Sequence, residues 1–322
     1  MVDVSVIIVS FNTRELTLQC LRSVFTQNHV SYEVIVVDNA SKDESAAGVR
    51  NEYPRAVVLE NDSNKGFASA NNQAIKLASG RYVLLLNSDT LLTSDDSFRK
   101  MVKFMDVNRK AGITGGKVTR PSGKLDWPCK RSFQTPEVFF YRSLRLDKIF
   151  PGHQKFGKYH LTYLDEDETH EVDAITGAFF MVRRETIEDI GLLDEHLFMY
   201  SEDMDWCLRA KQRNWKVYYY PEVHVIHYKS RSSNKRSYKM MYWWYYSTWY
   251  VYRKHMATHY AYVQAAMQAQ GQMQGQQMGP AQTPTAPQGQ GPGPVDMEAS
   301  ANTESMFNNA ARGAQQAGAL PG

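Results

Sequence analysis

The sequence predicts an α/β fold in which a mostly parallel central sheet is flanked by helices on both faces. Three observations predict it. Short apolar runs alternate with amphipathic stretches from Val2 to Leu92. The runs are apolar throughout, as strands covered on both faces are. Three of them end in polar groups, at Ser10 to Asn12, Asp38 to Ser41 and Asn87 to Asp89, and in a parallel sheet such ends emerge on the one edge where open α/β sheets bind ligands.

Val2 to Val9 reads as the first strand. Asn12 and Glu15 have the spacing of a capping box, for a helix that puts Leu16, Cys20, Leu21, Val24 and Phe25 on one face. Val34 to Val37 is the second strand; a polar helix from about Asp43 to Tyr53 then leads to a third, Ala56 to Leu59. Asn64-Lys65-Gly66-Phe67 opens a helix with Ala70, Ala74, Ile75 and Ala78 inward. This helix delivers the chain to Tyr82 to Leu86, a fully apolar strand that ends at Asn87-Ser88-Asp89-Thr90. The βαβαβ order implies right-handed crossovers. Farther on, Ser201-Glu202-Asp203-Met204-Asp205 opens a helix marked by Met204, Cys207, Leu208 and Lys211, and a strand from Val217 to Tyr220 leads through Pro221 to His224 and His227. Residues 136–170 read as irregular.

A chain of 322 residues has room for one large α/β core with additions, or for two modest domains. A net charge of +3 without a reader motif excludes bulk nucleic-acid binding. Three widely spaced cysteines imply neither a disulfide framework nor a zinc cluster, and a reducing compartment is expected. The first strand follows the N-terminus with no basic leader, so this end is expected in the cytoplasm. Where a dinucleotide fold would carry GxGxxG, the chain has Ser10-Phe11-Asn12-Thr13, and there is no Walker-type loop. A nucleotide would have to be held by Asp and Asn side chains and a metal ion rather than by a glycine cradle.

Lys229 to Lys239 holds five basic residues and no acid, and Tyr242 to Tyr252 holds eight aromatics. That stretch is too short to span a bilayer, which takes roughly 20 apolar residues. Its composition fits a membrane interface, at the inner face of the plasma membrane. It equally fits a helix packed on the catalytic domain or on a second copy of the chain, as in a homodimer. Of the 52 residues from Gly271 to Gly322, 24 are Gly, Gln or Pro, which predicts a disordered tail.

SVIIVSFN (5–12), VIVVDNAS (34–41), NKGFASANN (64–72) and LLLNSDT (84–90) together resemble the nucleotide-sugar half of the family 2 glycosyltransferases, which have the GT-A fold. TGAFFMVRRE (176–185), GLLDEHLFMYSEDMDWCLRA (191–210) and VYYYPEVHVIHYKS (217–230) are similar to the acceptor half of the rhamnosyltransferase-like branch. The resemblance covers roughly Val4 to His255. It implies transfer of a sugar from a dTDP- or UDP-linked donor to an acceptor hydroxyl, with inversion at the anomeric carbon. The resemblance implies a glycan or a polyprenyl-diphosphate-linked sugar as the acceptor. Such a displacement needs a cation at the departing diphosphate, a base at the acceptor and a pocket that aligns both.

Asp89 matches the last position of the family's Asp-any-Asp signature and is the expected ligand of a divalent cation, Mg²⁺ or Mn²⁺. Asn87 replaces the first acid, so ribose or the cation's water shell is its expected contact. Asp38 resembles the acid that contacts the base or ribose, with Ser10, Asn12, Asn39, Ser41, Gly66, Phe67 and Asn72 around it; ordinary turn chemistry is the alternative for these. In the family's Glu-Asp motif the Asp is the general base, which falls on Asp203, with Glu202 orienting the acceptor and Asp205 a helix-start or salt-bridge residue. The competing reading is that acids in a first helical turn simply favour the macrodipole. Against it, the approach Leu197-Phe198-Met199-Tyr200 would make the site partly dry, where a carboxylate pKa rises toward that of a useful base. The resemblance favours His227 as a further metal or diphosphate ligand and leaves His224 structural. Lys229, Arg231, Ser232 and Ser233 would then close over the phosphates. Gly115-Gly116 matches an acceptor-facing loop, and Trp127, Arg131 and Phe133 are candidate acceptor contacts, with an ordinary surface loop the alternative for each.

The expected organisation is a nucleotide-sugar half (1–118), an acceptor and catalytic half (119–235), an aromatic and basic helical segment (236–270) and the tail (271–322). One rival is a sugar nucleotidyltransferase, which should carry a Gly-rich basic loop after the first strand. The other is a catalytically inactive relative that binds a sugar nucleotide or a membrane partner, to which Asn87 lends weight.

Overall fold

The computed structural model describes residues 2–229 and 238–256. Arg231, Ser232, Ser233 and the tail 271–322 lie outside the described residues. In chain order the elements are β1 (Val4–Ser10), α1 (Arg14–Phe25), β2 (Tyr32–Asp38), α2 (Ser45–Glu52), β3 (Val57–Glu60), α3 (Phe67–Ile75), β4 (Tyr82–Asn87), β5 (Thr90–Leu92), α4 (Ser97–Val107) and β6 (Ala111–Thr119). There follow α5 (Pro136–Ser143), α6 (Leu146–Ile149), β7 (His170–Val172), β8 (Phe179–Arg183), α7 (Arg184–Ile190), α8 (Glu202–Gln212), β9 (Lys216–His227) and α9 (Tyr238–Val251).

One sheet runs β3-β2-β1-β4-β8-β6-β9-β5, with β7 also paired to β9. Strands β3, β2, β1 and β4 are mutually parallel. Antiparallel β8 lies between β4 and β6, and β9 runs parallel to β6. The register places the chemistry. Ser10 stands opposite Asp38, Val9 opposite Asn87 and Thr119 opposite Ile226, so the C-terminal ends of β1, β2, β4, β6 and β9 share one edge. Because β8 runs the other way, the turn that precedes it, Thr176 to Ala178, reaches the same edge. Ile7 and Ile8 are both fully buried although they point to opposite faces, which is the pattern the unbroken apolar runs require. β6 crosses residue 118, so the two expected halves share this sheet.

Several expectations need correction. Thr13, not Asn12, precedes α1, and no side chain caps that helix. Asn12 is left-handed (φ 54°), and its Oδ1 accepts from Lys42 N at 2.8 Å while its own N–H donates to Ser41 Oγ at 2.9 Å. The competing partner in the β2–α2 loop takes the amide that a capping box would use. Residues 136–170 are not uniformly irregular: Thr135 caps α5, accepting from Val138 N, and Pro136 occupies its first turn. Gly115 and Gly116 lie inside β6 rather than in a loop; a Cβ on Gly116 would stand 2.5 Å from Val223 O. Phe133 is core, 5% exposed, rather than a surface contact.

Of the two readings of the aromatic segment, packing onto the domain accounts for one face of α9. Trp243 stacks on Phe198 (4.9 Å between centroids), Ser247 Oγ donates to Met199 O at 2.8 Å, and Val251 is buried. The other face leaves Tyr242, Tyr245 and Trp249 more than half exposed, at 60%, 62% and 54%. Among the described residues no helix is long and apolar enough to cross a membrane.

Candidate active site

A cleft of about 1080 Å³ opens at the polar edge of the sheet, and Asn87, Asp89, Arg131, Glu202, Asp203 and His227 all line it. Asp89 and Asp203, far apart in the sequence, therefore face a common space.

Asp89 is placed by strand pairing. β5 follows β4 almost at once and pairs antiparallel with the end of β9, Thr90 opposite His227, and Tyr228 N donates to Asp89 O at 2.9 Å. The side chains of Asp89 and His227 consequently meet, Oδ1 to Nε2 at 3.1 Å, with Asn87 Nδ2 3.4 Å from the same nitrogen. On the far side of the ring, Nδ1 lies 3.6 Å from Asp126 Oδ2, and Asp126 Oδ1 is 2.8 Å from Lys229 Nζ. Burial works against charge on His227, but the carboxylates of Asp126 and Asp89 outweigh it and push the imidazole up to about 9. Burial likewise opposes charge on Asp126, and His227 and Lys229 more than offset it, bringing the carboxyl down to about 2.

A carboxylate oxygen and an imidazole nitrogen converging at contact distance suit Mg²⁺ or Mn²⁺. Among the described residues no group of three or more His, Cys, Asp or Glu is arranged to hold a metal ion. The residues present thus fit a cation that takes two protein ligands and completes its shell from a diphosphate and water.

Asp203 is placed by a forced turn. Tyr200 and Ser201 are both left-handed, φ 70° and 65°, so α8 starts abruptly at Glu202 with its first turn at the cleft. Such residues cost on the order of 1–3 kcal/mol each and persist where surrounding structure fixes them. Asp203 Oδ2 accepts from Arg131 Nη2 at 2.6 Å and Gly177 N at 3.2 Å, and Oδ1 accepts from Met204 N at 2.7 Å. Burial works against charge on Arg131, but the Asp203 carboxylate outweighs it and holds the guanidinium pKa above its usual value. The rise expected in a dry site falls on Glu202. Its Oε2 is buried without a hydrogen-bond partner, and burial, then the neighbouring Asp203 charge, push its carboxyl up to about 8. One acid is thereby ion-paired and its neighbour is held toward its protonated form, a division of roles that adjacent carboxyls show in acid–base sites. Asp205 is a salt-bridge residue, as expected: fully buried, it meets Arg209 at 2.9 Å, Lys254 at 3.0 Å and His255 at 2.5 Å.

The remaining expected residues divide between the cleft and its framework. Phe67 lines the cleft. Asp38 is buried at the β2 end; Oδ2 accepts from Ser41 N at 2.9 Å, while Oδ1 is without a hydrogen-bond partner. Ser10 Oγ is taken up with Thr13 and Thr17. Asn39 is spent on Asn61, Asn64, Lys65 and Gly66, locking the loop before α3. Asn72 is buried, and its amide bonds Leu193 O, Leu193 N and Glu195, joining α3 to the loop before α8. Trp127 is half exposed and packs edge-on against His160. His224 is structural, bonded to Thr119 Oγ1 at 2.8 Å.

Sequence reasoning missed Asp126, Gly177, His160 and the cleft wall formed by Trp244, Tyr245 and Trp249 of α9 with Tyr252 just beyond it. A lone Asp in a Pro- and Lys-containing loop carries no spacing signal. The α9 aromatics stand out by composition, which does not say what they border.

The model of the glycosyl transferase family 2 domain matches residues 5–191. A low-salt glycan biosynthesis hexosyltransferase, Agl10, of Haloferax volcanii is 25% identical over 229 residues, 70% of this chain and 67% of that protein. An N-acetylglucosaminyl-diphospho-decaprenol L-rhamnosyltransferase of Mycobacterium tuberculosis is 26% identical over 225 residues, 66% of this chain and 71% of that one. Among solved structures, a mannosyltransferase of Pyrobaculum calidifontis in complex with GDP-Man and Mn²⁺ superposes with a TM-score of 0.51 at 19% identity, covering 74% of this chain and 59% of that one. GalNAc-T7 with UDP, GalNAc and Mn²⁺ also gives 0.51, at 18% identity, over 71% of this chain and 44% of that one. These two likenesses carry the fold. With more than half of its length matched, the chain belongs to glycosyl transferase family 2 and has the GT-A fold.

Proposed function

We propose that this glycosyltransferase is an inverting, metal-assisted enzyme that moves L-rhamnose from a dTDP-linked donor to an acceptor hydroxyl in cell-surface or lipid-linked glycan assembly. The observation that carries the reading is that Asp89 and His227 on one side, and Asp203 on the other, line one cleft. A divalent cation held by Asp89 and His227 would stabilise charge on the departing diphosphate. Lys229, whose Nζ is 2.8 Å from Asp126, sits on the same side and would add a second positive charge there. Asn87, with its amide beside His227, would contact the donor.

Asp203 takes the acceptor proton as general base. Its ionised partner Arg131 and the Gly177 and Met204 amides fix its two oxygens, and one general base typically contributes 10²–10⁴-fold, about 3–5 kcal/mol of barrier. Glu202, protonated at neutral pH, donates a hydrogen bond that orients the acceptor rather than competing as base. Asp38, with an unused buried oxygen at the β2 end, is the donor's base or ribose contact. The acceptor carries a polyprenyl-diphosphate chain: Trp244, Trp249 and Phe139 wall the cleft mouth, and Phe140, Leu144, Ile149 and Phe150 stand exposed beside it. These apolar surfaces, with Arg142, Arg145, Lys148 and Arg253 among them, suit a membrane surface at the site of transfer.

The test is donor hydrolysis and transfer by wild type and Asp89→Ala, with dTDP- and UDP-linked sugars, in Mn²⁺ and in chelator. The reading expects metal-dependent turnover that Asp89→Ala abolishes. A rate that is indifferent to both metal and substitution would remove it.

A further inference from the structure

Asp126 belongs to no motif, yet it is among the most deeply buried acids in the chain, 1% exposed, and it stands behind His227. Its Oδ2 lies 3.6 Å from Nδ1 while Asp89 Oδ1 lies 3.1 Å from Nε2, so the imidazole is sandwiched between two carboxylates. The two differ in kind. Asp126 Oδ1 is occupied by Lys229 Nζ at 2.8 Å and Arg120 Nε at 3.4 Å, and its backbone N–H is bonded to Val118 O. A carboxylate so neutralised is a poor cation ligand, and its remaining oxygen points at the histidine. Nδ1 of His227, for its part, is buried with no hydrogen-bond partner. A buried ring nitrogen facing a carboxylate across a gap slightly wider than a hydrogen bond closes onto it with a small rotation of the ring.

We infer that Asp126 is a positioning residue for the metal site: it keeps a proton of His227 on Nδ1, so that a cation beside Asp89 would take the place of the proton on Nε2. The inference rests on the metal-assisted reading and adds to it a residue that touches neither metal nor substrate. The physical reason is that a neutral imidazole ligates through one nitrogen only, and the partner of the other nitrogen selects the tautomer and fixes the ring. Lys229 then has two uses, balancing Asp126 and facing the diphosphate. The Asp126–Lys229 pair couples the loop after β6 to the end of β9, so the site is braced from both sides.

The test uses the full-length protein. Mn²⁺ is titrated by electron paramagnetic resonance in the presence of dTDP for wild type, Asp126→Asn, His227→Ala and the double variant. Asp126→Asn should weaken Mn²⁺ roughly 10–100-fold, the usual effect of removing a partner behind a ligating histidine, and should add nothing once His227 is gone. Equal losses in both backgrounds, or none, would overturn the inference. Should Asp126→Asn not fold, wild type labelled with ¹⁵N-histidine and loaded with Mg²⁺ and dTDP decides. Long-range ¹H–¹⁵N spectra should give His227 as the Nδ1–H tautomer, the resonance being identified by its loss in His227→Gln, and an Nε2–H tautomer sinks the idea. If wild type itself takes up no Mn²⁺ with dTDP, the metal-assisted reading falls first and Asp126 with it.

Discussion

Arg131 Nη2 donates both to Asp203 Oδ2 at 2.6 Å and to the Ile175 carbonyl at 2.7 Å, so one guanidinium ties the proposed base to the segment that precedes β8. Arg131 was an expected acceptor contact; it lines the cleft, but its charge is committed to Asp203. Removing one partner of a buried ion pair leaves the other uncompensated, at a cost of about 3–5 kcal/mol. Arg131→Met should therefore lower the melting temperature strongly. Arg131→Lys should recover part of that loss without restoring turnover, because the shorter Lys side chain does not carry its ammonium to the point where Nη2 meets both acceptors. Thermal melts paired with single-turnover transfer rates check both, and a fully active Arg131→Lys would refute the bracing role.

Glu202 gives a pH signature. Its carboxyl is raised from 4.5 to about 8 in the folded chain, so between those values the native state holds a proton that the unfolded state has lost. Stability then falls as pH rises through that window and levels off above it. Glu202→Gln lacks the titration and should gain on wild type progressively from pH 5 to pH 8 and no further above that, about 2–4 °C for each kcal/mol in a domain of this size. Melting curves at three pH values are sufficient. Parallel pH profiles for the two proteins would mean that Glu202 ionises as an ordinary surface acid.

Asp203→Asn removes the base while keeping the side chain's size. Binding of dTDP, read by the rise in melting temperature that a native-state ligand produces, should persist, and transfer should fall roughly 10²–10⁴-fold. Loss of nucleotide binding instead would assign Asp203 to the donor.

Gly66 joins the start of α3 to the segment that leads into α8. It is left-handed, φ +84°, and a Cβ there would stand 2.5 Å from the Phe198 carbonyl, to which Phe67 N also donates at 2.9 Å. Gly66→Ala combines backbone strain with a clash against main chain that cannot swing away. It should destabilise by roughly 2 kcal/mol or more and displace the Phe198 segment that leads into Glu202 and Asp203. A melting temperature within a degree of wild type would contradict this.

Exposed aromatics on α9 make a prediction about lipid. The full chain should sediment with vesicles containing anionic phospholipid and less with neutral ones, and Tyr245→Ser combined with Trp249→Ser should release it. Equal binding by wild type and the double variant would leave α9 without a membrane role.

Local signals carried much of this fold. The runs Val4–Ser10, Tyr32–Asp38 and Tyr82–Asn87 are strands within two residues or so of where periodicity puts them, because burial on both faces demands apolar side chains at every position. Their polar ends announced the edge on which Asp89 lies. Pairing between distant segments was less legible. That β8 would enter antiparallel between β4 and β6, or that β5 would set Asp89 against His227, depends on long-range register that no local pattern encodes. Asn12 and Asn72 show the same limit from the other side: their composition suits a ligand, and tertiary neighbours at Lys42 and Leu193 claimed them.

The close of α9 is held by charge. Beyond Val251, Lys254 meets Asp194 at 2.5 Å and Asp205 at 3.0 Å, and His255 Nε2 meets Asp205 Oδ1 at 2.5 Å. Asp205 sits one turn into α8, two residues past Asp203, and is fully buried, so the charges of Arg209 and Lys254 and the His255 imidazole converge on a carboxylate that water cannot reach. Asp205→Ala strips all three of their shared partner and should cost about 3–5 kcal/mol. His255→Ala is gentler, since Arg209 and Lys254 remain on Asp205, and should cost roughly 1–2 kcal/mol. Because α9 walls the cleft mouth through Trp244 and Trp249, loosening its end should raise the acceptor KM several-fold while donor hydrolysis stays near wild type. Steady-state kinetics with acceptor varied at saturating donor separates the two effects. An unchanged acceptor KM in a folded His255→Ala protein would mean that α9 borders the cleft without shaping it.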